Sequence, residues 1–160
     1  MTQIISLTDL TTKMKVDRQP DQTLVLVTGV FDIVHSEHLK FLRAARQKGQ
    51  ILIVGLETDQ RVLRLKGPGR PVNRLGKRLS NLAKTAIPDY VFPLPIQFDT
   101  TLDHQALLAV LRPDILAVSS HTLHLDKKKR LMAKYSGQLK VVLPYNAEVS
   151  TTKILKEVGF

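Results

Sequence analysis

Five stretches of the chain are apolar without strict alternation: residues 23–28, 50–56, 89–92, 114–118 and 138–143. They are rich in Val, Ile and Leu, as expected of strands covered on both faces. Segments with helical spacing of apolar positions fall at 36–48, 59–65, 74–86, 101–111, 125–136 and 151–158. Strand and helix alternate. That order predicts a doubly wound, Rossmann-like α/β fold, a parallel sheet of about five strands with helices on both faces. Residues 1–22 read as a polar, partly helical lead-in, and a single domain over 1–160 is expected. Ligands in such a sheet sit beyond the carboxyl ends of the strands, at the switch point.

The turn after the first of these strands lies at such an end. It runs Thr28-Gly29-Val30-Phe31-Asp32-Ile33-Val34-His35-Ser36-Glu37-His38. Gly29 has no Cβ and lets backbone approach a ligand. His35 and His38 are three apart at a helix start and share a face. Helix N-termini attract anions through free N–H groups and the macrodipole. The two histidines can donate to phosphate oxygens, and their charge is tunable near neutral pH. No third ligand accompanies them, so they do not read as a metal pair. A second segment, Lys66-Gly67-Pro68-Gly69-Arg70-Pro71-Val72-Asn73, is a restrained loop. With Arg78 it brings three positive charges together, of the kinds that grip phosphate. A third, Ser150-Thr151-Thr152-Lys153, reads as a helix N-cap that doubles as a phosphate-binding helix start.

Charge agrees with this chemistry. There are 24 Lys+Arg against 14 Asp+Glu, a net +10, which favours anionic partners such as nucleotides, sugar phosphates or nucleic acid. Five Phe, three Tyr and no Trp make a thin base-stacking surface, so nucleic acid is allowed by charge and little else. The densest basic run, Lys127-Lys128-Lys129-Arg130, reads first as a solvated helix face. The absence of cysteine excludes disulfides and thiolate metal sites or nucleophiles, and fits a cytoplasmic protein. No apolar run is long enough to predict a membrane span, and the polar first ten residues do not read as a signal peptide.

Together the three segments resemble the HxGH nucleotidyltransferase superfamily. Within its cytidylyltransferase-like group they are most similar to the adenylyltransferase domain of bifunctional heptose-phosphate kinase/adenylyltransferases. The likeness runs from the lead-in to Ile154. The resemblance implies transfer of a nucleoside monophosphate from ATP, or CTP, to a sugar or polyol phosphate, with release of pyrophosphate. It implies that His35, His38 and Lys66 stabilise the transferring phosphates. Thr28, Gly29, Phe31, Arg78, Ser150, Thr151 and Thr152 would then hold the nucleotide. Asp32 and Arg70 fall on the acceptor side, with Asp32 read first as a support for the turn. Magnesium is implied with the triphosphate, bridging phosphate oxygens and keeping most of its waters. A homodimer is also implied.

Two positions depart from the family pattern. Glu37 stands where the family has glycine. A carboxylate 4 Å from a phosphate is repelled by about 4 kcal/mol at an effective dielectric near 20. Either Glu37 points away, or it pairs with Arg or Lys and orders the site. At the end of the fourth strand, Val118-Ser119-Ser120-His121 replaces a lysine and glycines on the nucleotide side. These departures keep a second reading open, a non-catalytic descendant that binds a nucleotide or phosphorylated ligand. A nucleic-acid-binding protein on the same scaffold is the third.

Overall fold

The computed structural model describes residues 1–143. The elements run β1 (Gln3–Ile4), α1 (Leu7–Asp17), β2 (Leu24–Gly29), α2 (Ser36–Arg46), β3 (Ile51–Leu56), α3 (Asp59–Lys66), α4 (Leu75–Ala83), β4 (Tyr90–Pro93), α5 (Thr101–Leu111), β5 (Ile115–Ser119), α6 (Leu125–Lys134) and β6 (Gln138–Leu143). The strands form one parallel sheet in the order β1-β4-β3-β2-β5-β6. The fold is therefore the expected α/β class, with six strands among the described residues rather than about five. The sixth, β1, comes from the lead-in. Its two residues pair with Tyr90 and Val91 of β4, and Thr2 Oγ1 donates to the Pro88 carbonyl at 2.6 Å. A polar two-residue strand carries no periodic signal, which is why the pattern of hydrophobic positions did not predict it.

Alternate strand residues feed two cores. Leu24, Leu26, Ile53 and Leu116 face Leu10 and Met14 of α1, Leu107, Leu108 and Leu111 of α5, and Met132 of α6. Val25, Val27, Leu52 and Val54 face Leu42 and Ala45 of α2 and Leu79 and Leu82 of α4. The central strands are thus apolar at nearly every position.

Two aspartates fix the amino ends of the strands. Asp89 accepts from Leu52 N at 2.8 Å and pairs with Arg46. Asp114 accepts from Leu24 N at 2.7 Å and pairs with Arg18. Helices end where the backbone turns left-handed or tightens. Ala86 and Ser136 have φ of 55° and 62°, so α4 and α6 stop short of the predicted 86 and 136. The chain winds β2, β3, β4 to one side and then crosses to β5 on the other. The switch point lies between β2 and β5, at the turn that follows β2.

Candidate active site

Phe31 organises the turn between β2 and α2. It adopts φ 47°, is nearly buried, and rests its ring against that of His38 with centroids 5.0 Å apart. A Cβ on Gly29 would lie 2.8 Å from Phe31 Cε2. Gly29 therefore makes room for the Phe31 ring. His35 is the N-cap of α2, its Nδ1 accepting from His38 N at 3.4 Å. The two imidazoles stack with centroids 3.7 Å apart and planes 17° from parallel.

Burial lowers the pKa of His35, partly offset by Glu37. Burial and then the neighbouring His35 push His38 down to about 4. Both rings are thus neutral at pH 7: His35, whose Nδ1 accepts, carries its N–H on Nε2 beside the free N–H groups of the helix start, whereas His38 gives its N–H to the Ile33 carbonyl and its Nδ1 is buried without a partner among the described residues. Glu37 occupies the first turn of α2 and makes an ion pair with Lys40 at 2.9 Å. Pairing, one of the two reliefs open to this carboxylate, is therefore present.

Asp32 fastens the 66–73 loop to this turn. Its fully buried carboxylate accepts from Val72 N and Asn73 N, each at 2.8 Å, and from Arg70 Nε at 3.1 Å. Asn73 Nδ2 returns a bond to the Asp32 carbonyl at 2.9 Å. Asp32 supports the turn; its oxygens face backbone amides and Arg70, so it does not line the acceptor side as an open carboxylate. Gly67 and Gly69, at φ 88° and 81°, give the loop its path.

The three cations expected to act together are separated by burial. Lys66 ends α3 exposed. Arg70 is held by Asp32 and is largely buried. Arg78 is completely buried: Nε donates to the Asn73 carbonyl at 3.0 Å, Nη1 to the Val30 carbonyl at 2.9 Å and Nη2 to Asp59 at 2.7 Å. The expectation that Arg78 contacts a triphosphate tail is corrected here. Its position on the core-facing side of α4 makes it a clamp that joins turn, loop and α3.

The β5 end completes the mouth. Val118 is part of the core, so it offers nothing to a ligand. Ser119 Oγ lies 2.7 Å from His121 Nδ1. Burial first, and then the charge of Lys66, lower the pKa of His121. Ser150, Thr151 and Thr152, and the helix expected after them, lie outside the described residues.

Sequence reasoning missed one group. Glu57 directly follows β3, its N–H donating to the Gly29 carbonyl at 3.0 Å. Arg61 Nε stands 2.8 Å from Glu57 Oε2, yet the two atoms are out of line for a hydrogen bond. Arg61 also pairs with Asp99. His104 of α5 stacks on Phe98 at 4.0 Å, and the positive charge of Lys128 on α6 is felt at both Glu57 and His104. The available signal was the E-T-D-x-R spacing at the start of α3. No group of three metal-ligating side chains occurs among the described residues.

A model of the cytidylyltransferase-like family matches residues 26–157. The chain belongs to that family. It is accordingly a nucleotidyltransferase by class, and its curated relatives agree with the resemblance read from the sequence. It is 34% identical over 143 residues to Bifunctional protein HldE of Alcanivorax borkumensis, covering 88% of this chain and 29% of that protein. It is 37% identical over 142 residues to Bifunctional protein HldE of Campylobacter jejuni, covering 88% and 29%. The chain thus spans under a third of the length of these relatives. Among solved structures, it resembles the lipopolysaccharide core biosynthesis protein from Thermoplasma volcanium (TM-score 0.62, 19% identity, 78% of this chain and 97% of that one). Pantothenate synthetase from Thermus thermophilus is also similar (TM-score 0.62, 12% identity, 95% and 67%). These two show the shared fold.

Proposed function

We propose that this cytidylyltransferase-like protein transfers a nucleoside monophosphate from ATP, with CTP second, to a sugar or polyol phosphate. The observation that carries the reading is the stacked, neutral His35–His38 pair at the start of α2, to which Asp32 fastens the 66–73 loop. An oxygen of the acceptor phosphate attacks the α-phosphorus. The α–β bridging bond breaks, and pyrophosphate leaves with the electron pair. Such a reaction needs positioning and charge stabilisation rather than a side-chain nucleophile. His35 donates through Nε2 to the phosphates as charge builds on them, and His38, stacked on it and bonded to the Ile33 carbonyl, holds that ring in place. Lys66, exposed at the mouth, neutralises the attacking and transferring groups. Thr28 and the free amides of α2 border the triphosphate, joined by Ser150, Thr151 and Thr152. Magnesium arrives with the triphosphate and supplies charge neutralisation. Partners are then the nucleotide, the phosphorylated acceptor and a second copy of the chain, in the cytoplasm.

The test is pyrophosphate release from ATP and CTP against a panel of sugar and polyol phosphates. Turnover with one acceptor, lowered about 100-fold or more by His35→Ala while the melting temperature falls only by the roughly 1–8 °C that loss of an N-cap predicts, supports the reading. No turnover across the panel, with ATP still raising the melting temperature, replaces it by nucleotide binding alone.

A further inference from the structure

Ser119 ends β5 at the switch point, where the family pattern has glycine and so carries over no side-chain role. Strand pairing leaves an opening there. β2 stays paired with β3 as far as Gly29–Leu56, but its register with β5 covers only Val25–Ile115 and Leu26–Leu116. Thr28 and Gly29 on one side and Ser119 on the other therefore lie beyond the last pairing of the two strands. They border the crevice in which a sheet of this topology takes its ligand.

The face that Ser119 belongs to follows from the register. Val118 pairs with Val141 of β6 and Ser119 with Leu143, so the extra residue of this bulge belongs to β6. The side-chain alternation of β5 is thereby kept. Ile115 and Ala117 lie in the core shared with α2, and Leu116 and Val118 in the opposite one. Ser119 is next in that alternation and falls on the α2 face. It shares that face with the His35–His38 helix start.

The Ser119 side chain is also held. It is partly buried, and its Oγ lies 2.7 Å from His121 Nδ1. If Oγ donates to Nδ1, its lone pairs remain to accept; if Nδ1–H donates, the hydroxyl hydrogen remains to donate. Phosphate oxygens without a proton only accept, and base amino groups only donate. A ligand hydroxyl does both, and so suits the pair in either tautomer. For a triphosphate bound at the start of α2, the nearest hydroxyls are those of its own ribose.

We propose that Ser119 Oγ, held by His121, hydrogen-bonds a ribose hydroxyl of the nucleotide and makes the site select ribonucleotides. This deepens the nucleotidyl-transfer reading and rests on it. Ser119 is a specificity-determining residue, and His121 is a positioning residue that acts through it.

Calorimetry with ATP, 2′-deoxy-ATP and 3′-deoxy-ATP tests this. The wild type should bind ATP about three- to tenfold more tightly than one of the deoxy analogues, as for one neutral hydrogen bond. Ser119→Ala should weaken ATP by that factor and leave the analogue unchanged, so that the preference disappears. Ser119→Thr keeps the hydroxyl and should keep part of the preference. His121→Ala should lose most of it and His121→Asn, whose amide stands in for Nδ1, should recover part; these two read the same ratio with Ser119 in place should Ser119→Ala not fold. A purely structural Ser119 would weaken all three nucleotides alike. That outcome, a wild type that does not distinguish them, or a preference undiminished in Ser119→Ala overturns the inference. Pyrophosphate release by an enzyme whose ribose preference survives Ser119→Ala sinks the inference alone. A preference lost in Ser119→Ala, with no release from any acceptor, removes the enzymatic reading and leaves a ribonucleotide site.

Discussion

Glu37 concentrates the electrostatic question at the residue scale. Its carboxylate is neutralised by Lys40 three residues on, with a side chain only 15% exposed while Lys40 is 62% exposed. It also sits in the first turn of α2, where a negative charge is favoured by about 0.3–1 kcal/mol. Glu37→Gly thus removes a paired charge and adds a helix glycine, at a total cost of about 1–2 kcal/mol. Nucleotide affinity should change little. Lys40→Ala instead leaves the carboxylate uncompensated, and nucleotide affinity should fall about tenfold or more. Calorimetry on both variants checks the order; a greater gain for Glu37→Gly than loss for Lys40→Ala would mean that the carboxylate blocks the site. His38 supplies a second residue-scale expectation. Its folded pKa of about 4 lies below the unfolded value of 6.5, so the unfolded chain binds the proton first as pH falls. This group's stability contribution is complete above pH 6.5 and is lost between 6.5 and about 4, amounting to about 2–3 kcal/mol. Glu57, raised mainly by burial, works in the opposite direction. The difference between wild type and His38→Gln isolates the imidazole: denaturant midpoints should converge as pH falls from 6.5 to 4.

Between elements, Arg78 carries the greatest consequence. One guanidinium joins the β2–α2 turn through Val30, the 66–73 loop through Asn73 and α3 through Asp59. Arg78→Met should cost about 2–4 kcal/mol, because it leaves two part-buried carbonyls without their donor and Asp59 without its partner. Arg78→Lys keeps the charge but not the fork, so urea unfolding should place it between Met and wild type. A direct ligand contact predicts the reverse, with stability retained in Arg78→Lys and nucleotide affinity lost. The same elements show what a sequence can and cannot reveal about a site. The histidine turn, the glycine–proline loop and their neighbourhood were legible because each is local and compositionally marked. The separation of Lys66, Arg70 and Arg78 was not, because burial depends on which helix face meets the sheet. Asp32 and Arg78 look like ligands in one dimension and prove to be the struts of the turn in three. Glu57 and Asp99 are far apart in sequence, and only the fold brings both to Arg61.

At the scale of the whole molecule, strands β2 to β6 were legible from their Val-, Ile- and Leu-rich runs, and the β1 edge was not. Polar positions dominate residues 1–22, yet the segment is integral to the fold. Leu10 is fully buried and Met14 nearly so, both in the core shared with α5 and α6. Gln3 N and Ile5 N donate to the Asp89 and Val91 carbonyls at 2.9 and 3.0 Å, covering the outer edge of β4. Arg18 ties the end of the segment to Asp114, which also receives Leu24 N. Removing residues 1–22 exposes the apolar surface beneath Leu10 and Met14, worth about 3–6 kcal/mol for two such side chains. It also leaves an unpaired strand edge, a template for association. Net stabilities of about 5–15 kcal/mol make that a large fraction of the total. For a domain of this size each kcal/mol moves the melting temperature by about 2–4 °C. Deletion of 1–22 should therefore lower the melting temperature by about 10–20 °C or yield aggregated protein. The active-site residues lie on β2, α2 and the loops after β3, so nucleotide binding should fall only as folding falls. A truncated chain that melts within about 5 °C of the full one would show that the lead-in is dispensable. One that keeps its fold but loses nucleotide binding would place the segment in the site itself.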